Sequence, residues 1–362
     1  MTERVHNFSA GPCTLPLSAL EEAQAEFVDY QGAGMALIEM SHRGKHFVAV
    51  YEEAIALVRS VFGVPQDFDV LFLQGGATLQ FAMVPMNLLG DGRKGGYVNS
   101  GTWAKGAIAD AKPYGEIYTA WDGADCGYSR MPQSAELVMQ SDTRYLHITS
   151  NETIGGIRFC EWPQVDVPLI ADMSSDYMAR PIPWDRFDLV YGGAQKNLGP
   201  AGMALVIVRK NVARDNNRDI ARYLRYDIHA DKDSMFNTPP VFPIYVLGKV
   251  LKWMQEQGGV EAMESQAEEK AGILYQAIDN SDGYYRCPVD AGSRSVMNVV
   301  FRLPTEELEK AFLAEADKAK LLNLKGHRSV GGCRASIYNA MPRAGVQALA
   351  DFMATFRSSN RG

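Results

Sequence analysis

"FDLVYGGAQKNLGPAGMALVIVRK", residues 187 to 210, sets two apolar runs on either side of a turn that carries one lysine, Lys196. Continuous apolar runs of this length read as strands covered on both faces. An ammonium carried into the join between two such strands is either a solvated turn residue or the reactive group of an enzyme. Taken alone, a lysine after glycines is the former. The rest of the chain has to decide.

Upstream, "DVLFLQGGATLQFAMVPMNLL" reads as a buried strand, a glycine turn and a helix. "GGYVNSGTWAKGAIADAKPYG" repeats that logic with a Ser-Gly-Thr cap, and "RYLHITSNE" and "PLIADMSS" add two strands. Helical spacing covers residues 17 to 30 (Leu20, Ala23, Phe27 on one face) and 46 to 61 (Val50, Ala54, Leu57, Val58). Strands that alternate with helices predict an α/β fold, a mostly parallel sheet covered by helices. Beyond about residue 255 the pattern becomes α+β, with charged amphipathic helices near 259–279, 305–320 and 343–357. The expectation is a large domain over 16–255 and a smaller one over 256–362, with segment 1–15 near the smaller one.

A chain of 362 residues exceeds one ordinary core, which agrees with two domains. The net charge of −7 argues against a nucleic-acid partner. Five cysteines, odd in number and without a CxxC, make neither a disulfide framework nor a zinc site and suit a reducing compartment. The start has no apolar signal region, and no run approaches the roughly 20 residues that cross a bilayer. A cytoplasmic protein without a membrane partner is expected.

In open α/β sheets ligands gather beyond the carboxyl ends of the strands. "PLIADMSSD" ends on Asp172 and the following strand pair turns at Lys196, so both are expected in one crevice. A strand-end aspartate is usually a cap, yet the two together are what pyridoxal phosphate (PLP) requires. A lysine forms a Schiff base with its aldehyde, and a carboxylate keeps its pyridine nitrogen protonated.

That reading asks for a phosphate site, a stacking ring and anion-binding arginines. "QGGATLQF" offers the N–H groups of Ala77 and Thr78 and the Thr78 hydroxyl at a helix N-terminus. It matches neither G-x-G-x-x-G nor the P-loop, which disfavours nicotinamide and ATP. Trp103 stands at the next strand-to-helix turn, where its ring either joins the core or covers a cofactor face. His42-Arg43 and "KGHRSVGGCR", with His327, Arg328 and Arg334, are basic islands in an acidic chain. His42 and His46 have no carboxylate to complete a set, so no metal is expected.

"FSAGP", "EMSHRGKHF", "QGGATLQF", "SGTWA", "NETIGG", "ADMSSD", "YGGAQKNLGPAG", "MFNTPP" and "LKGHRSVGGCRASIYNAM" occur in order over nearly the whole chain. Together they resemble the phosphoserine aminotransferases, class V PLP-dependent enzymes. The resemblance implies the aspartate-aminotransferase-like (fold type I) architecture, a homodimer with shared active sites, and PLP as cofactor. It makes Lys196 the Schiff-base lysine and Asp172 the partner of the pyridine nitrogen. Trp103 would stack on the ring and Thr153 would bond its hydroxyl. Ala77, Thr78 and Gln195 would hold the phosphate, with Asn237 and Thr238 from the other subunit. His42, Arg43, His327 and Arg328 match substrate-phosphate positions, and Arg334 the α-carboxylate arginine.

The implied reaction is ping-pong transfer from L-glutamate to 3-phosphooxypyruvate in L-serine biosynthesis, with a second use in pyridoxine biosynthesis left open. Rivals of the same fold are a cysteine desulfurase, whose only candidate nucleophile would be Cys333, and an alanine–glyoxylate aminotransferase, which has no use for two His-Arg sites. A PLP-dependent regulator would need a DNA-binding domain ahead of a core that starts within about 15 residues.

Overall fold

In the computed structural model, which describes residues 4–215 and 218–360, the apolar runs form one seven-stranded sheet. In chain order the elements begin with β1 (His6–Asn7), α1 (Leu17–Ala25), α2 (Lys45–Phe62), β2 (Phe68–Gln74) and α3 (Gly76–Leu88). Next come β3 (Lys94–Asn99), α4 (Thr102–Ala111), β4 (Glu116–Asp122), β5 (Thr143–Thr149), β6 (Asn151–Glu152) and β7 (Ile157–Arg158). β8 (Leu169–Asp172), β9 (Phe187–Gly193), β10 (Met203–Arg209), α5 (Lys210–Arg214), α6 (Tyr226–Ala230) and α7 (Val241–Glu256) follow. The chain closes with α8 (Gly259–Asp279), β11 (Asn298–Phe301), α9 (Glu306–Lys318), β12 (Leu321–Leu322), β13 (Cys333–Ser336) and α10 (Arg343–Asn360).

The sheet order is β2-β10-β9-β8-β5-β3-β4. β10 runs antiparallel to both neighbours, β2 and β9, and the other pairings are parallel. Two reversals across β10 leave β2 pointing the same way as β9. All strands but β10 therefore end at one edge, which is where a mostly parallel sheet places its ligand. Pairing of Thr149 with Asp172 and of Asp172 with Tyr191 brings the ends of β5, β8 and β9 level.

Both faces are covered. On one, Phe47, Val50, Ala54 and Val58 of α2 and Leu247 and Leu251 of α7 bury against Phe72, Ile148, Ala171 and Leu205 of the sheet. On the other, Phe81, Val84 and Leu88 of α3 and Ala107 and Ala111 of α4 pack on Leu71, Tyr97, Ile170 and Val206. Gly63, in the left-handed region at φ 62°, ends α2. The helix expected over 17–30 stops at Ala25, and of the predicted apolar face Ala23 is buried while Leu20 and Phe27 are exposed. Gln31, Gly32 and Gly34 all adopt positive φ, and the chain bends there instead of continuing as a helix.

A separate apolar cluster joins Leu274, Phe301, Phe312, Leu321, Val346, Leu349 and Met353. Phe8 is fully buried in it, and β1 pairs with β12 through His6–Leu321 and Asn7–Leu322. Burying one phenylalanine stabilises by roughly 1.5–3 kcal/mol, which adds to the strand pairing that holds the segment. Among the described residues no helix is long and apolar enough to cross a membrane.

Candidate active site

β9 delivers Lys196 and β8 delivers Asp172 to the shared edge, and both side chains are buried. Lys196 Nζ donates to Thr153 Oγ1 at 2.6 Å and lies 5.3 Å from the centre of the Trp103 ring. Burial lowers the lysine's pKa, opposed by the charges of Asp172 and Glu152. Burial likewise raises Asp172, opposed by the charge of Lys196 and two bonds from Ser174. Those bonds, from the Ser174 hydroxyl at 2.6 Å and its N–H at 2.9 Å, both go to Oδ1. Oδ2 carries no hydrogen bond among the described residues. The two opposite charges sense each other yet form no ion pair within 4 Å.

The first turn of α3 presents the N–H groups of Ala77 and Thr78, which have no intrahelical partners. Gly75 and Gly76 enter it at φ 87° and 61°, and a methyl built on Gly76 meets no atom within 4 Å. Gln195 folds back over Gly193, where a Cβ would lie 2.6 Å from its Oε1. Trp103 Nε1 and Arg334 Nε are buried without a partner. A buried amine, a carboxylate with one open oxygen, an indole face and free N–H groups at a helix N-terminus fit PLP.

Of the basic residues singled out in the sequence, Arg334 is the one whose charge acts on Lys196. Its Nη1 donates to Thr153 O at 3.4 Å, burial lowers its pKa, and its charge depresses that of Lys196. His327 and Arg328 lie on the turn before β13, where His327 Nδ1 accepts from the Ser329 N–H at 3.3 Å. His42 and Arg43 stand ahead of α2, and among the described residues no bond links them to the Lys196 pocket; His42 Nε2 is buried without a partner. Asn237 and Thr238 pack on the end of β2, with Gln74 Nε2 donating to Thr238 O at 3.0 Å.

Three features of this pocket are absent from the sequence reading. Glu152 is fully buried beside Trp103. The segment after β1 crosses the Lys196 turn: the Cys13 thiol donates to Lys196 O, and a Cβ on Gly11 would lie 3.1 Å from Lys196 Cγ. Burial pushes the Cys13 thiol up to about 12, so it is no nucleophile here. Finally, Asn197 beside the lysine is held by Asn339, whose N–H donates to Asn197 Oδ1 at 3.0 Å. "NETIGG" and "FSAGP" could have flagged the first two, as polar or small residues beside a strand end.

The family model "Aminotransferase class-V" matches residues 5–349. The phosphoserine aminotransferase of Laribacter hongkongensis is 52% identical over 97% of this chain and 98% of its own. The solved phosphoserine aminotransferase from Bacillus circulans subsp. alkalophilus superposes with a TM-score of 0.97 at 49% identity, covering both chains completely. The PLP-bound phosphoserine aminotransferase from Trichomonas vaginalis gives 0.92 at 38% identity, covering 97% of this chain and all of its own.

Proposed function

The chain belongs to the class-V aminotransferases, PLP-dependent enzymes, and on that premise we propose that it moves the amino group of L-glutamate to 3-phosphooxypyruvate, yielding 2-oxoglutarate and O-phospho-L-serine. The observation that carries this reading is the buried pair Lys196 and Asp172 at the strand ends, with the Trp103 ring 5.3 Å from Lys196 Nζ. Beside it, Arg334 keeps an unpartnered Nε for an anionic substrate.

In this reading Lys196 would hold the cofactor through its amine, and Asp172 would be the partner of the pyridine nitrogen. Trp103 would cover the ring and Thr153 would bond its hydroxyl, while Ala77, Thr78 and Gln195 would hold the phosphate. Bound PLP supplies an electron sink for the bonds at the substrate Cα. Once the substrate's amine has displaced it, Lys196 Nζ, whose pKa burial lowers, would be the free base that takes the substrate Cα proton and returns it on the other side of the transfer. Asp172, oriented by the two Ser174 bonds, keeps negative charge where the pyridine needs it. Arg334 binds the α-carboxylate. His327, Arg328, His42 and Arg43 bind the substrate phosphate and, in the other half-reaction, the glutamate γ-carboxylate. Donor and acceptor use one site in turn, so the exchange is ping-pong.

Residues 16–255 form the cofactor-binding unit in this reading, and 256–362 the smaller one. The enzyme works in the cytoplasm as a homodimer, with Asn237, Thr238 and one His-Arg pair completing the neighbouring site. Exposed Phe27, Val28, Met35 and Ile38 supply apolar surface for that contact. Incubating the holoenzyme with glutamate and 3-phosphooxypyruvate and assaying phosphoserine tests the whole. Transfer to glyoxylate or sulfur release from cysteine, without phosphoserine, would replace it.

A further inference from the structure

Glu152 has no part in the chemistry above, yet it is a fully buried carboxylate within reach of the charges of Asp172 and Lys196. Its two oxygens are used separately. Oε2 accepts the Trp103 N–H at 3.3 Å and Oε1 the Ala104 N–H at 2.9 Å, with the Ser100 hydroxyl at 3.5 Å from Oε1. Those N–H groups belong to the peptide units on either side of the Trp103 Cα. Fixing both planes fixes the direction of the Cα–Cβ bond, and so where the indole ring sits.

The approach is possible because α4 begins behind a glycine. Gly101 occupies the capping position without a side chain to satisfy the first N–H groups of the helix. A Cβ there would lie 2.7 Å from Glu152 Cδ. The cap is thus supplied from β6, across the pocket, by the residue before Thr153, which accepts the Lys196 bond. A carboxylate suits the positive end of a helix better than a neutral acceptor does. The indole nitrogen has no bond of its own, so backbone anchoring and packing alone orient the ring.

We propose that Glu152 is a positioning residue that caps α4 from outside and sets the Trp103 ring over the Lys196 pocket. This rests on the reading of Trp103 as the ring that covers PLP. A double-mutant cycle over wild type, Glu152→Gln, Trp103→Ala and the pair separates the two ideas. PLP affinity of the apoprotein is measured by equilibrium dialysis, and the induced circular dichroism of the bound cofactor is recorded. Glu152→Gln is expected to weaken PLP binding about tenfold and alter the dichroism, and to change affinity little once Trp103 is gone. Additive losses, or an unchanged dichroism in Glu152→Gln, overturn the positioning role. If Trp103→Ala itself leaves affinity and dichroism unchanged, the stacking assignment fails instead, and the positioning role with it. Should Glu152→Gln not fold, Glu152→Asp, which keeps the charge and withdraws it by one methylene, goes through the same cycle with the same expectation.

Discussion

Two buried lysines, in two regions of this molecule, are treated in opposite ways. Lys196, at the edge of the large sheet, has one hydroxyl partner and two carboxylates it senses without an ion pair. Lys270, on α8, donates to three backbone carbonyls, Tyr338 O at 2.8 Å, Met341 O at 3.1 Å and Asn339 O at 3.2 Å. Burial drives the Lys270 pKa down to about 8, while the three carbonyls accept its protons. An ammonium with every proton bonded is structural. One left short of partners is available for reaction, and its environment is correspondingly less stable.

The sharpest way to break this contrast is to remove each amine. Lys196→Ala should abolish transamination and the absorbance of lysine-bound PLP, while the apoprotein melts at or above the wild-type temperature. Turnover near the wild-type rate would end the assignment. Lys270→Met should do the reverse, leaving buried carbonyls unpaired at a cost of roughly 2–4 kcal/mol in denaturant titrations of the apoprotein. A stability equal to wild type would show that the three bonds are dispensable.

Glu152 sits at the border between the two classes, because it is both bonded and charge-coupled. Burial raises its pKa to about 7, opposed by the N–H groups of Ala104 and Trp103. A carboxyl raised on folding binds more protons in the native state than in the unfolded one between about pH 4.5 and 7. Its contribution is complete below that window and is lost as pH rises through it. The loss is at most about 3 kcal/mol for a shift of this size. Glu152→Gln should flatten that decline, and a stability–pH curve unchanged in slope would count against it. The mildest test concerns Arg328, exposed and without a bond among the described residues. Arg328→Ala should lower kcat/KM for 3-phosphooxypyruvate about 10–100-fold, glutamate less, with melting unchanged. Equal losses for both substrates would remove its role in reading phosphate.

The contrast also explains what the sequence disclosed. Lys196 and Asp172 were legible because each ends an apolar run, and a charge at the end of a buried strand is anomalous locally. The sheet was legible for the same reason. The direction of β10 was not, since an apolar run carries no sign of its orientation. Lys270 reads in "SQAEEKAGI" as one more solvated charge on an amphipathic helix. Nothing near it announces carbonyls some seventy positions away. Glu152 was hidden inside a motif quoted for its neighbour, Thr153, because its partners lie on α4. The end of α1 was misjudged because apolar spacing continues past Ala25 to Phe27, which faces outward.

The strap from His6 to Cys13 adds a consequence in time. It is made well before its strand partner, Leu321–Leu322, and its anchor, Phe8, needs the cluster built around Phe312 and Leu349. Until the ribosome has passed those residues His6–Asn7 and Phe8 have nowhere to dock, and closing so long a loop is slow. The large sheet can assemble first, with Asp172 and Lys196 already in place. A chain arrested before Leu321 would carry Lys196 and Asp172 with Gly11 and Cys13 on a strap whose far end is not anchored.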